Sequence, residues 1–482
     1  MALQRNILIS FGMNVAIYFF QFLTTVVVSR ILTPTEVGLF AVSMAMVTIL
    51  QGLREFGAIS YLIQEKEVTE EHVSSVYAIL IIIGFGLGLS LFAGRHWFAS
   101  FYGNEEITSI IAVLSVSLFV FPFGLPATAM LRRERRFGQL ATVAITASVG
   151  YFVLTCALAL YGFGAMSLAI GTMFSSVIQA VVALYFWPRH IRLRPSFEQW
   201  RAVTRFGAAA TLGSLTSRIG QAIPELTIGR FFNLPNAALF TRGRVLTLLV
   251  DRFCTSPFSN AAIPELASSL RKNQNVEARL MRVANVTALL NWTALAIIFA
   301  NADLIISLLY GERWKAVVPL LQALCLNQAI VMLASAPKML LEASGSVNII
   351  MRNEFYILIA LVATLILGSF YNLQILCWAL CVPSVFAVLL SWFSIRNRVR
   401  LSGIELLSYL KFPFFCAAVV LTSQLAVGLL PNLLLPGPHW VTVFATLAAR
   451  LLIAAGLGLT MLKFGEPELF DAMGRLMLRR PS

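Results

Sequence analysis

The sequence predicts an all-α integral membrane protein: a polytopic bundle of about fourteen transmembrane helices, built as two pseudo-symmetric six-helix lobes with two further helices at the C-terminus. Three observations carry that expectation. Of 482 residues, 59% are hydrophobic and only 12% charged, with a mean hydropathy of +0.82, whereas soluble domains carry about 25% charged residues. Apolar runs recur at the length of about 20 residues that crosses the hydrocarbon core as a helix. Basic residues gather in alternate connections between those runs, as in membrane proteins with a fixed orientation.

In chain order the runs lie near 7–29, 37–53, 75–94, 107–131, 139–161, 165–187, 207–229, 237–262, 283–309, 316–342, 355–371, 374–395, 412–430 and 441–462. The first leads through Arg30 to Glu36 straight into the second, so it is expected to stay as a helix rather than to be cleaved as a signal peptide. None of the runs alternates in the ten-residue pattern of a β-barrel, which leaves helices as the way to satisfy backbone groups in lipid.

The net charge of +14 would point to nucleic acid in a soluble chain; here it reports topology, and no nucleic-acid partner is expected. With the N-terminus placed in the cytoplasm, about 24 Lys and Arg residues fall in inner segments and about five, Arg30, Arg95, Arg230, Arg313 and Lys315, in outer ones. Both ends are therefore expected inside. Cys156, Cys254, Cys325, Cys377, Cys381 and Cys416 all fall within spans, where they read as small packing residues rather than disulfide or metal ligands.

The outer turns are short, and the longest inner connection, 188–206, is the natural boundary. The expected division is 1–190 for the first lobe, 191–400 for the second, and 401–482 for two additional spans and a cytoplasmic tail. An internal repeat supports it. SRILTPTEVGLF from Ser29 aligns without gaps with GRFFNLPNAALF from Gly229, matching Arg30 with Arg230 and Phe40 with Phe240; Tyr102-Gly103 and Tyr310-Gly311 open equivalent turns in each half. Six spans is an even number, so the halves would enter the membrane in the same orientation and enclose a cavity between them. The tail, PELFDAMGRLMLRR, fits either an amphipathic helix on the inner membrane surface or a solvated end.

Few residues support catalysis. There is no phosphate-binding GxxxxGK[ST] loop, the three aspartates (Asp251, Asp303, Asp471) are scattered, and His72, His96, His190 and His439 stand singly. No enzyme activity, catalytic residue, cofactor or metal is expected. Charges inside spans say more, since each costs about 2.5 to 3.5 kcal/mol at mid-bilayer on insertion scales and so faces a cavity or a partner. In span seven, Ser214, Arg218, Gln221 and Glu225 fall on one helical stripe, with Pro224 beside Glu225 expected to kink or open the helix. Span eight carries Arg242, Arg244, Asp251 and Arg252. Arg218, Gln221, Glu225, Arg242, Arg244, Asp251 and Arg252 are the candidate substrate-binding residues. Their excess of guanidinium over carboxylate suits an anionic, phosphate-bearing substrate. The competing structural reading has Arg242 and Arg244 snorkelling to the outer interface while the other charges pair internally. Arg54, Glu55, Arg450, and Lys338 paired with Glu342 across one helical turn read first as local pairs or interfacial anchors.

Several stretches also resemble a known family. LTPTEVGLFAVSMAM followed by LREFGAISYLIQEKEVTEEHVSSVY, then LRRERRFGQLATVA, YGFGAMSLAIGT, ALFTRGRVLTLL, AAIPELASSL and LLYGERWKAVVPLLQAL, in that order, are similar to bacterial polysaccharide and oligosaccharide flippases of the multidrug/oligosaccharidyl-lipid/polysaccharide exporter superfamily. The resemblance covers roughly residues 5–395, and the last two spans are generic. It implies a two-lobed bundle that works by alternating access for surface polysaccharide, exopolysaccharide or lipopolysaccharide synthesis. The cargo it implies is a polyprenyl-pyrophosphate-linked oligosaccharide, moved outward between leaflets. The implied surroundings are membrane lipids and a polysaccharide polymerase with its export machinery. Two departures stand out: Phe240 replaces a tyrosine common before the arginine of the turn into span eight, and Glu55 stands where an aspartate is common.

Two other classes compete. A cation-coupled drug or metabolite antiporter of the same fold would draw its coupling carboxylate from Glu55, Glu225, Asp251 and Glu342. A membrane-embedded glycan polymerase would need a large outer loop with clustered Arg, His and carboxylates, and the outer connections here are short.

Overall fold

The structure, a computed structural model, describes residues 2–428 except 55–56, 58–60, 64, 66–67, 188–194, 197, 199, 273–275 and 397–402. Helices dominate it, and no strand occurs among the described residues. The all-α expectation holds. Among the described residues ten helical stretches are long and apolar enough to cross a membrane, counting Val317–Ala343 and Leu373–Ile395 as one each across their breaks, so length and apolarity do not reach the expected fourteen. The seventh and eighth runs form helices but are diluted by their own charges, and 441–462 lies outside the described residues, as do Glu55, Arg450 and the tail.

Two compact units emerge, Met1–Thr241 and Arg242–Ser482. The first contains α1 (Ala2–Ile31), α2 (Pro34–Arg54), α3 (Glu70–Tyr102), α4 (Glu106–Arg133), α5 (Phe137–Leu160), α6 (Ala165–Tyr185) and α7 (Trp200–Phe231), and the boundary falls within α8 (Leu234–Cys254). Helix α4 packs along α3 and α6, α1 along α5, and α7 along α2. Small residues set these distances, because without water between helices attraction comes from close van der Waals approach. A Cβ on Gly52 would stand 2.9 Å from Leu215 Cα, and one on Gly124 2.7 Å from Ala180 Cα, so α7 reaches α2 and α6 reaches α4 only over bare backbone.

The helix starts and stops follow local chemistry. Thr33 and Glu36 form a reciprocal cap at the start of α2, with Thr33 N–H donating to Glu36 Oε2 at 2.7 Å and Glu36 N–H to Thr33 Oγ1 at 3.3 Å. At the equivalent place in the repeat, Asn233 Oδ1 accepts from Asn236 N–H at 3.0 Å at the start of α8. Gly103 ends α3 in the left-handed conformation, with φ 66°, and its repeat counterpart Gly311 has φ 92°. Helix α7 runs unbroken through Pro224, in contrast to the expected opening.

The second unit continues with α9 (Ser256–Arg271), α10 (Val276–Ala300), α11 (Ala302–Leu309), a 3-10 turn at Glu312–Trp314, α12 (Val317–Met332), α13 (Ser335–Ala343), α14 (Val347–Gly368), α15 (Leu373–Ala379), α16 (Cys381–Ile395) and α17 (Gly403–Gly428). Here several sequence runs are interrupted: the eighth breaks at Thr255, the tenth at Leu333–Ala334 and the twelfth at Leu380. Around the Leu333 break the backbone is satisfied by two indoles. Pro337 has no N–H to offer the Leu333 carbonyl four residues back, and Trp392 Nε1 donates to it at 3.0 Å. Leu333 N–H turns to Ile330 O at 3.0 Å, and Trp292 Nε1 donates to Ala329 O at 2.9 Å. All six cysteines are free thiols.

Candidate functional site

Within the first unit, α1, α2, α4, α5 and α6 surround a cavity of about 290 Å³. Its polar lining comes from Asn14, Arg54, Thr128, Arg132, Ser176 and Gln179, and no carboxylate lines it among the described residues. Arg54 closes α2 and Arg132 lies in the last turn of α4. The Arg54 guanidinium sits 5.1 Å from the centroid of the Phe121 ring, a cation–π contact that orients the fork. Two arginines with amide and hydroxyl groups make a donor-rich lining, suited to a phosphate or other polyanion. A volume near the lower end of the range for small-molecule sites, about 300 to 1,000 Å³, matches a head group rather than a chain of sugars.

Beside this cavity lies the expected stripe of α7. Ser214 Oγ donates to Gly52 O at 2.8 Å, and the Arg218 stem passes so close to Gly52 that its Cγ would be 3.3 Å from an added Cβ. Glu225 is buried. Gln221 is exposed, its Nε2 3.4 Å from Ser217 Oγ. Helical spacing thus placed the four on a stripe, while packing divides them: Ser214 and Arg218 are committed to α2, and Gln221 to open space.

The residues of the second unit behave differently. Arg242 packs against two aromatic rings. It is 6% exposed, with its guanidinium carbon 5.9 Å from the Tyr310 ring centroid and 5.6 Å from that of Trp314. Trp314 is fully buried, and burial pushes the Tyr310 phenol up to about 12 despite the opposing pull of Arg242. The YGERW stretch therefore builds an aromatic cage for a cation seventy residues earlier in the chain. The Thr255 hydroxyl hydrogen-bonds the Asp251 carboxylate, and Asn291 Nδ2 donates to Thr255 Oγ1 at 3.0 Å. Arg244 and Arg252 are half-buried. Lys338 binds Glu354 Oε1 at 2.6 Å rather than Glu342, because α14 brings Glu354 alongside α13.

The sequence reading left Arg54 and Arg132 among anchors and loop charges and passed over Asn14 and Gln179. These four come from four helices, so no spacing along the chain links them. A side-chain amide within a largely apolar span, as at Asn14 and Gln179, is the signal the sequence offers.

A profile of the family described as "Polysaccharide biosynthesis protein" matches residues 27–319. The chain is 21% identical to the lipopolysaccharide biosynthesis protein WzxC of Escherichia coli (strain K12) over 84% of its own length and 83% of that protein. It is 22% identical to the teichuronic acid biosynthesis protein TuaB of Bacillus subtilis (strain 168) over 76% of each chain. It is 24% identical to the succinoglycan biosynthesis transport protein ExoT of Rhizobium meliloti (strain 1021) over 64% of its own length and 63% of that protein. Among solved structures, the fold is shared with the lipid II flippase MurJ in an inward closed conformation, with a TM-score of 0.77 at 13% identity over 96% of this chain and 98% of that one. It is shared too with an inward-facing multidrug resistance MATE transporter of the MOP superfamily, with a TM-score of 0.67 at 17% identity over 82% and 98%.

Proposed function

Because this multi-pass membrane protein belongs to the polysaccharide biosynthesis protein family, we propose that it is a transporter rather than an enzyme. It flips a lipid-linked oligosaccharide, carried on polyprenyl pyrophosphate, from the cytoplasmic to the outer leaflet of the bacterial inner membrane. The observation that carries this reading is the cavity of the first unit, where Arg54 and Arg132 converge with amide and hydroxyl donors and no carboxylate occurs among the described lining residues. A pyrophosphate is the part of such a cargo that needs cationic, bidentate donors once it leaves water. Arg218, Gln221 and Glu225 on α7, and separately Arg244 and Arg252 on α8, are proposed as further cargo-contacting residues. Arg242 and Asp251, turned to local partners, hold α8 in place.

In this mechanism the two lobes of the repeat, 1–190 and 191–400, alternate in exposing the cargo to either side, both termini lie in the cytoplasm, and a polymerase with its export machinery takes the product. A deletion strain should accumulate complete lipid-linked repeat units on the inner leaflet. Arg54→Glu with Arg132→Glu should reproduce that accumulation at normal protein levels, with export down about tenfold or more, since each charge-assisted hydrogen bond is worth about 1.5 to 3 kcal/mol. Single repeat units displayed at the surface of the deletion strain would instead mark a polymerase and refute the proposal.

The MATE-like fold supports a second reading, a cation-coupled drug or metabolite antiporter. Sodium- or proton-dependent drug uptake by everted vesicles, unaffected by the two arginine reversals, would favour it.

A further inference from the structure

Four helices among the described residues close with the same pair of backbone bonds, and one of them closes on a residue that the backbone does not favour. At Gly103, Gly162 and Gly345 the N–H reaches back three residues and the next N–H five, with φ of 66°, 84° and 67°. That closure needs a left-handed residue, which glycine supplies without a steric clash. At the end of α4 the place is taken by Arg135. Its N–H donates to Arg132 O at 3.1 Å, the Arg136 N–H donates to Leu131 O at 2.9 Å, and its φ is 56°. A residue with a Cβ is strained there, and such strain gathers where a side chain serves a function. The neighbouring arginines are engaged. Arg132 lines the cavity, Arg133 donates to the carbonyls of Leu62 and Glu65 at 2.7 and 2.6 Å, and Arg136 Nε donates to Glu134 Oε2 at 2.9 Å. Arg135 is exposed, and its side chain enters no hydrogen bond or ion pair among the described residues.

Helix α4 is long and apolar enough to cross a membrane, so its end lies where hydrocarbon gives way to head groups. Leu131 shares a cluster with Ala183, against which Phe186 and Trp187 pack, and the adjoining Tyr185 is 82% exposed; aromatic residues gather at that depth. We propose that Arg135, with Arg136 beside it, docks the phosphate of an anionic phospholipid. Four arginines stand against Glu134 in residues 132–136, and a positive turn at the bilayer surface attracts negatively charged head groups over zwitterionic ones. A guanidinium fork takes phosphate oxygens in pairs. Helix α5 opens directly after Arg136 with no side-chain cap, which adds the positive end of a helix to the same turn. A lipid bound there fixes the α4–α5 turn at the membrane surface, and with it Arg132 on the cavity.

Binding is read without cargo, so this inference and the flippase reading can fail separately. The purified full-length protein is placed in nanodiscs of phosphatidylcholine with and without phosphatidylglycerol. Its Tm is measured, and the phosphatidylglycerol it retains is counted by native mass spectrometry. Wild type should melt higher with phosphatidylglycerol present and should carry it into the spectrometer. Arg135→Gly, which fits the left-handed position, should melt higher than wild type in phosphatidylcholine alone. It should nevertheless lose most of the phosphatidylglycerol-dependent rise, with retained lipid down about fivefold, the share of one arginine near an anionic surface. Arg135→Lys should keep most of the response and Arg135→Asn should lose it. Arg313→Gln, which removes an exposed arginine from the second unit, should leave it unchanged. An Arg135→Gly protein that retains the lipid as wild type does overturns the proposal. Equal losses from Arg135→Gly and Arg313→Gln overturn it too, because the attraction then belongs to net charge. If Arg135→Gly abolishes export while lipid retention stays whole, the arginine serves a protein partner and the proposal fails as well.

Discussion

The two units admit charge into a hydrophobic bundle by opposite means. In the first, Arg54 and Arg132 border an open cavity whose described lining contains no counter-charge. In the second, Arg242 is boxed by Tyr310 and Trp314, Lys338 is paired with Glu354, and Asp251 is held by Thr255. A charge that faces a polar cavity is placed to meet a ligand, whereas one enclosed by its own protein contributes to stability. Substitutions in the first unit should therefore injure transport and spare folding, and the reverse should hold in the second.

The sharpest test of that contrast is Trp314→Ala. It removes the largest fully buried side chain and one wall of the Arg242 cage together. Emptying such a site costs about 3 to 5 kcal/mol, so a steep fall in Tm and in membrane abundance is expected, beyond anything that Arg54→Glu produces. Arg242→Met, combined with Trp314→Leu in a double-mutant cycle, should give a coupling of about 1 to 2 kcal/mol. If Trp314→Ala retains wild-type Tm, the second unit does not use its aromatic residues as a scaffold and the contrast collapses.

The helical class and most span positions were legible because a twenty-residue apolar run in lipid has few alternatives to a helix. The repeat was legible where backbone demands are local: Thr33 and Asn233 both cap a following helix, and Gly103 and Gly311 both take positive φ. Breaks were not. Hydropathy reads 316–342 as one span, yet the chain is interrupted at Leu333–Ala334, where it depends on indoles from distant helices. The site was half legible for the same reason. Spacing put Arg218 and Glu225 on one stripe of α7, but Arg54 with Arg132, and Arg242 with Trp314, meet only through packing. Helical geometry also suggested Glu342 for Lys338, and a neighbouring helix supplied Glu354 instead.

A weaker effect probes the break itself. Trp392→Phe keeps the ring's bulk but deletes the donor to Leu333 O, leaving a carbonyl that Pro337 cannot serve. The expected loss is about 1 kcal/mol, visible as a small drop in Tm. Faster amide exchange confined to α12 and α13 should accompany it. Exchange that rises evenly across the second unit would show that the break is held by packing rather than by that bond.

The smallest effect belongs to Lys338 and Glu354, whose side chains are 48% and 26% exposed. At that exposure an ion pair is worth about 0.2 to 1 kcal/mol, so Lys338→Met or Glu354→Gln alone should lower stability only slightly, and high salt should shrink the difference. The double substitution should restore most of the loss, because what each single change leaves behind is an uncompensated charge near the end of a span rather than a broken scaffold. Replacing Glu342 instead should leave the Lys338 coupling intact. If Glu342→Gln abolishes that coupling and Glu354→Gln does not, the partner is the one favoured by helical spacing, and the pair would cease to be an instance of the second unit satisfying its charges across helices.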